Sequence, residues 1–277
     1  MKKSLIFAGL LLFLSAGCKK AKVEKRPGKK LVVASIAPLT AIAREVGDTL
    51  FDYRYIVPRS SNPHTFEPTP GDMKAVEKSS LFIYVGLKLD PWAQKMASYA
   101  PLSLAVGDSL KNYRLPLDNP HDIWLAPRHV KASAAIIASA LEDISPKNKS
   151  TIEFNLRDFY SRIDSLMDYI AAHKADTIRV VVYHGAWAGV LEELGFDVVD
   201  VIAQNPAQEP SLSRISEVIE RAKERGVSVV VAEANFPDRV PSKVAEAVGA
   251  RLVKADPLYE RDYVSTLKAL IDSVFRE

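Results

Sequence analysis

From Leu31 onward, short apolar runs alternate with stretches whose apolar residues recur every three or four positions. The runs at 31–36 (LVVASI), 53–57 (YRYIV), 81–86 (LFIYVG) and 103–107 (SLAVG) read as strands, being short and rich in β-branched or aromatic residues. Helical patterns fill the gaps. One runs over 39–47, opened by Pro38 and closed by Gly47, and one begins near Asp72. A third starts with Asp90 as N-cap and Pro91 at its first position, and a fourth covers 128–143. After Pro146 neither Gly nor Pro occurs until past His173, and Ile152, Leu156, Phe159, Ile163, Leu166 and Ile170 mark one face. That spacing predicts a single amphipathic helix of roughly 27 residues, about 40 Å long.

The alternation then restarts. Strands are expected at 178–184 (IRVVVYH), 196–202 (FDVVDVI), 227–233 (VSVVVAE) and 250–256 (ARLVKAD). Helices are expected at 186–194, at 212–226 behind a Ser211 cap, at 242–249 and at 262–275. Strands separated by helices imply parallel sheets. The expected fold is therefore α/β: two lobes with parallel sheets flanked by helices, over 31–145 and 176–277, joined by one long rigid helix at 146–175.

Residues 1–30 are of another kind. A Lys-Lys start precedes LIFAGLLLFLSA, an apolar run too short to span a bilayer, which needs about 20 apolar residues. This is the layout of a signal peptide over 1–17. Its end, Leu14-Ser15-Ala16-Gly17-Cys18, resembles a bacterial lipobox, although Ser15 stands where leucine is usual. Cys18 is the expected lipidation site. It is the one cysteine, so disulfides and thiolate metal sites are excluded from the body. Residues 18–30, charged and containing Pro27 and Gly28, read as a flexible tether.

The leader and tether also distort the charge. The whole chain is +3, but residues 1–30 hold nine Lys/Arg and one Asp/Glu. The remainder carries 28 basic and 33 acidic residues, a net −5. A mildly acidic body argues against nucleic-acid binding and suits a cationic ligand.

Parallel sheets place ligand sites beyond the carboxyl ends of their strands. That rule gives four residues one address: His64 past the second strand, His121 past the fourth, His184 ending the fifth, and Asp256 ending the last. Three imidazoles and a carboxylate make a tetrahedral site suited above all to Zn²⁺. Prolines flank His64 and frame the His121 loop, limiting the entropy lost on capture. Taken singly, each has an ordinary reading: a surface histidine at 64, a turn cap at 121, a satisfied strand-end histidine at 184, a turn aspartate at 256. His129 and His173 read as structural. Ligation needs neutral imidazoles, so affinity is expected to fall as pH drops through roughly 6.5.

The loops carry a resemblance. Asn62 to Pro70 (NPHTFEPTP) resembles the first ligand loop of the cluster A-I (zinc/manganese) substrate-binding proteins of ABC transporters. Tyr84-Val85-Gly86-Leu87 with Asp90-Pro91-Trp92, the Pro120-His121 to Pro127 loop, Tyr183 to Trp187, and Glu209-Pro210-Ser211 resemble further blocks of that family, in the same order. In that family the second histidine stands two places before the tryptophan; here His121 stands three before Trp124, and Asp122 holds the usual place. A ligating Asp122 would shift preference toward manganese. A histidine-rich insertion found in some zinc members is missing before this loop, while His184, commonly Glu in manganese members, favours zinc.

The resemblance implies an extracytoplasmic monomer, either a lipoprotein held to the membrane by its N-terminal lipid or a periplasmic protein, that delivers Zn²⁺ (or Mn²⁺ or Fe²⁺) to an ABC permease. The metal ligands would be His64, His121, His184 and Asp256. Glu233 is a candidate to orient an imidazole, with Arg59 and Glu67 in similar roles. No catalytic residue is expected. A zinc hydrolase would need an open coordination position and a nearby base, and the sequence carries no H-E-x-x-H motif. An iron-chelate or cobalamin receptor on the same scaffold would want an aromatic or Arg-lined cleft, and an adhesin would use metal only structurally.

Overall fold

The computed structural model describes residues 28–173, 177–204, 208–234 and 236–276. The signal peptide, Cys18 and most of the tether lie outside the described residues. Two sheets organise the rest. The first lobe contains β1 (Lys30–Ala34), α1 (Ala37–Gly47), β2 (Phe51–Tyr55), α2 (Pro70–Glu77), β3 (Leu81–Tyr84), α3 (Pro91–Met96), β4 (Ser103–Ala105), α4 (Val106–Leu110), α5 (Asp122–Leu125) and α6 (Pro127–Ile144). Then come the connector α7 (Lys149–His173) and the second lobe: β5 (Arg179–His184), α8 (Ala188–Glu193), β6 (Asp197–Ala203), α9 (Leu212–Arg225), β7 (Val229–Glu233), α10 (Arg239–Val248), β8 (Arg251–Ala255) and α11 (Tyr263–Phe275).

Both sheets are fully parallel and share one plan, β2-β1-β3-β4 and β6-β5-β7-β8. The inner strands show why. In β5 every residue after Arg179 is buried, and all of β7 is buried, as expected for strands covered by helices on both faces. The edge strand β2 alternates instead, with Phe51 buried and Asp52 and Arg54 on the wetter side.

The connector is 25 residues long, entered by a 3₁₀ turn at Pro146–Asn148, so the proline starts the turn before the helix proper. Ile152, Phe159, Ile163, Leu166 and Ile170 are its buried stripe, while Leu156 is only partly covered. This face packs on α1 and α6 of one lobe and on α11 of the other. One continuous apolar core runs from Val32 and Leu39 through this stripe to Val180, Trp187 and Tyr263. A second cluster fills the outer face of the second sheet under α9 and α10.

Several boundaries moved for identifiable reasons. α2 begins at Pro70 because Thr69 caps it: Thr69 Oγ1 accepts from the Asp72 backbone N–H (3.3 Å), and Asp72 Oδ2 accepts from that of Thr69 (3.0 Å). Asp90 precedes α3 but does not cap it with its side chain. Lys30, assigned to the tether from sequence, is already part of β1.

Candidate metal centre

His64, His121 and His184 come together where the carboxyl ends of the two sheets face each other. Their ligand nitrogens all lie within 4.8 Å of one another. The Nε2 atoms of His64 and His121 are 3.3 Å apart. Two nitrogens bound tetrahedrally to one zinc, each about 2.0–2.1 Å away, would stand about 3.4 Å apart.

Each ring is positioned by a different device. His64 sits on the loop after β2, where Asn62 Oδ1 accepts its backbone N–H at 3.0 Å and Trp92 Nε1 donates to the Pro63 carbonyl at 3.2 Å. Asp90, buried, accepts from the backbone N–H groups of Val85 and Gly86 at 2.9 Å each. It thus fixes the turn after β3, where Gly86 adopts φ +81°. The sequence block around Tyr84 and Trp92 is therefore a support for the His64 loop.

His121 is held by Asn119. Asn119 Oδ1 accepts from the His121 backbone N–H (3.1 Å) and from ring Nδ1 (2.7 Å), and Asn119 Nδ2 donates to the Gly185 carbonyl across the cleft (2.7 Å). With Nδ1 donating, Nε2 keeps a lone pair aimed at the other rings. Asn62-Pro63-His64 and Asn119-Pro120-His121 are the same tripeptide, and in both the Asn oxygen accepts the histidine's backbone N–H. That repeat was the signal that sequence reasoning passed over.

His184 ends β5, beside Glu233 at the end of β7. Glu233 is 1% exposed, its Oε1 is 3.7 Å from His184 Nδ1, and neither oxygen has a hydrogen-bond partner among the described residues. Burial pushes its carboxyl above the ordinary range, partly offset by His184. Burial, then the charge of His184, lowers His64 to about 4; His121, more deeply buried, is held well below an ordinary histidine by the same causes and His64. These rings are therefore neutral far below the pH of 6.5 expected from sequence.

Asp256 does not join the cluster. Arg59 donates to Asp256 Oδ2 through Nε (3.0 Å) and through Nη2, while Asp256 Oδ1 accepts from the Leu258 backbone N–H (2.8 Å). The expected fourth ligand is thus engaged elsewhere, and Arg59, expected near an imidazole, is its partner. Asp122, the residue after His121, turns the other way. Its buried carboxylate packs on the backbone of Gly189 in α8, and its Oδ1 is unpartnered among the described residues. Burial, with Glu193, Glu192 and Asp118 nearby, pushes Asp122 up to about 7. Glu67 is exposed and lines neither opening to the rings. His129 instead bonds the Pro116 carbonyl and His173 the Tyr169 carbonyl, both at 2.8 Å.

Two openings meet at the rings. A narrow one is walled by Pro63, Leu89, Trp124, Phe236, Pro257 and Leu258. A wider one carries Asp118, Glu192 and Asp200 beside the three histidines. Arg214 and Arg221 occupy Asp200, so Asp118 and Glu192 supply the negative potential at this mouth.

Two parallel α/β lobes on one connecting helix, with imidazoles gathered in the cleft, define the class of helix-linked substrate-binding proteins. The chain belongs to the family described as "ZnuA: Zinc-uptake complex component A periplasmic", whose model matches residues 32–275. It is 23% identical over 258 residues to the high-affinity zinc uptake system protein ZnuA of Bacillus subtilis, covering 84% of this chain and 79% of that one. It is 26% identical over 261 residues to the manganese ABC transporter substrate-binding lipoprotein PsaA of Streptococcus pneumoniae (86% and 84%). A crystal structure of ZnuA superposes with TM-score 0.80 at 26% identity, covering 90% of this chain and 98% of that one. The laminin-binding protein Lmb of Streptococcus agalactiae, titled as bifunctional with adhesin and metal-transporting activity, gives 0.78 at 25% (90% and 98%).

Proposed function

We propose that this protein captures a divalent cation, Zn²⁺ foremost, between His64, His121 and His184 and delivers it to an ABC permease outside the cytoplasm. The observation that carries the reading is the convergence of three imidazoles from both lobes within 4.8 Å. An all-nitrogen set favours zinc over manganese, which prefers oxygen-rich sites. Relatives named for zinc and for manganese uptake support cargo of this class. Cys18 carries the lipid, residues 18–29 are the tether, and the body acts as a monomer. No helix among the described residues is long and apolar enough to cross a membrane, in keeping with an anchored extracytoplasmic body.

Binding rather than catalysis is the role assigned to this site. Competitive titration of the body with Zn²⁺ and Mn²⁺ against chelators of known affinity tests the reading. One ion per chain is expected, with Zn²⁺ preferred and affinity lost by at least a hundredfold in His121→Ala. Wild-type affinity in that variant would sink the assignment.

A further inference from the structure

Asp256 and the imidazoles lie on opposite sides of Pro257. Pro257 and Leu258 wall the cavity that holds His64, His121 and His184. Asp256 instead lines a separate surface groove with Arg59, Tyr259 and Glu260. Three hydrogen bonds keep it there: two from the Arg59 guanidinium to Oδ2, and one from Leu258 N–H to Oδ1. Arg59 lies on the His64 loop and Asp256 follows β8, so the pair also ties the two lobes together.

We propose that Arg59 sets the ion preference of the site by holding the Asp256 carboxylate away from the cation. This rests on the reading that the three histidines hold the cargo. With Asp256 engaged, an ion meets three nitrogens and no protein oxygen from this residue. Asp256 adjoins Pro257 of the cavity wall in sequence, so a released carboxylate would bring an oxygen donor and a negative charge toward the ion, which favours Mn²⁺ relative to Zn²⁺. The guanidinium is suited to this task because its planar fork grips a carboxylate and never deprotonates. Its side chain is 48% exposed, so the restraint is of moderate strength and its removal leaves the core untouched.

The test measures Zn²⁺ and Mn²⁺ affinities by chelator competition on the full body of wild type, Arg59→Ala, Arg59→Gln, Arg59→Lys, Asp256→Ala and the Arg59→Ala/Asp256→Ala double variant. Arg59→Ala and Arg59→Gln are expected to shift the Mn²⁺-to-Zn²⁺ affinity ratio about tenfold toward Mn²⁺. Arg59→Lys, which keeps the charge but loses the fork, falls between wild type and Arg59→Ala, and the double variant returns to the wild-type ratio. Asp256→Ala alone stays within about threefold of wild type for Zn²⁺. An unchanged ratio in both Arg59→Ala and Arg59→Gln overturns the proposal while leaving three-histidine binding intact. A loss of more than tenfold in Zn²⁺ affinity in Asp256→Ala also overturns it, because the carboxylate would then be a ligand in the wild type. Failure of wild type to bind either ion overturns both readings together.

Discussion

The side-chain oxygen of Asn119 lies 2.7 Å from His121 Nδ1, and the same amide reaches the Gly185 carbonyl in the other lobe. One residue thereby sets a ring's tautomer and links the strand end bearing His184 to the loop bearing His121. Asn119→Ala is expected to reduce zinc affinity by about 10–100-fold while the far-UV circular dichroism stays unchanged. Asn119→Asp, which keeps the oxygen, should recover most of the loss. Titration calorimetry on the three proteins checks this.

Glu233 gives a prediction with a sign. Its folded pKa is raised by burial, so the native state holds a proton that the unfolded chain releases. Stability is therefore fully present below about pH 4.5, the unfolded value, and declines as pH rises through the folded pKa. Glu233→Gln removes that penalty. The metal-free variant should melt higher than wild type at pH 7.5, and the difference should vanish at pH 4. Its zinc affinity should fall about tenfold, because the carboxylate facing His184 no longer strengthens that ligand.

The histidines act in the opposite sense. His64 titrates near 4 when folded against 6.5 in the open chain, so between those values the unfolded state binds more protons. Metal-free protein should lose stability as pH falls from 6.5 toward 4. His64 and His121 should add little proton competition for zinc across pH 7 to 6, in contrast to the free-imidazole expectation. Chelator competition at half-unit pH steps measures both the slope and its onset.

Gly189 sits where α8 meets α5. A Cβ there would lie 2.2 Å from Asp122 Oδ1, an overlap that must displace the carboxylate or the helix. Gly189→Ala should destabilise the fold by about 1–3 kcal/mol in urea unfolding. Adding Asp122→Ala should restore most of that, giving a coupling energy of opposite sign.

Much of this was legible beforehand, for reasons that differ by element. The strands β5 and β7 announce themselves because burial on both faces demands unbroken valine runs. The connector reads clearly because its stripe from Ile152 to Ile170 repeats at the helical period. The histidines could be assigned to one cleft because parallel topology sends every strand end the same way. Asp256 obeyed that rule in its backbone only. Its side chain answers to Arg59, 197 residues earlier, and no local pattern encodes such a pairing. Asp90 misled for a related reason: ahead of a proline it looks like a cap, yet its oxygens face back to Val85 and Gly86. The Asn-Pro-His repeat was fully visible, but its meaning needs the turn geometry that lets asparagine reach two residues ahead.

Part of the seam between the lobes is fastened through main-chain oxygens. Trp124 Nε1 donates to the Pro257 carbonyl, Tyr259 Oη to that of Trp124, and Tyr263 Oη to that of Leu125, each at 2.8 Å. Because a peptide oxygen is present whatever side chain hangs beside it, the acceptor positions are free to drift in sequence without unfastening the joint. With α7 bracing both halves as well, gross outline is a poor messenger of occupancy.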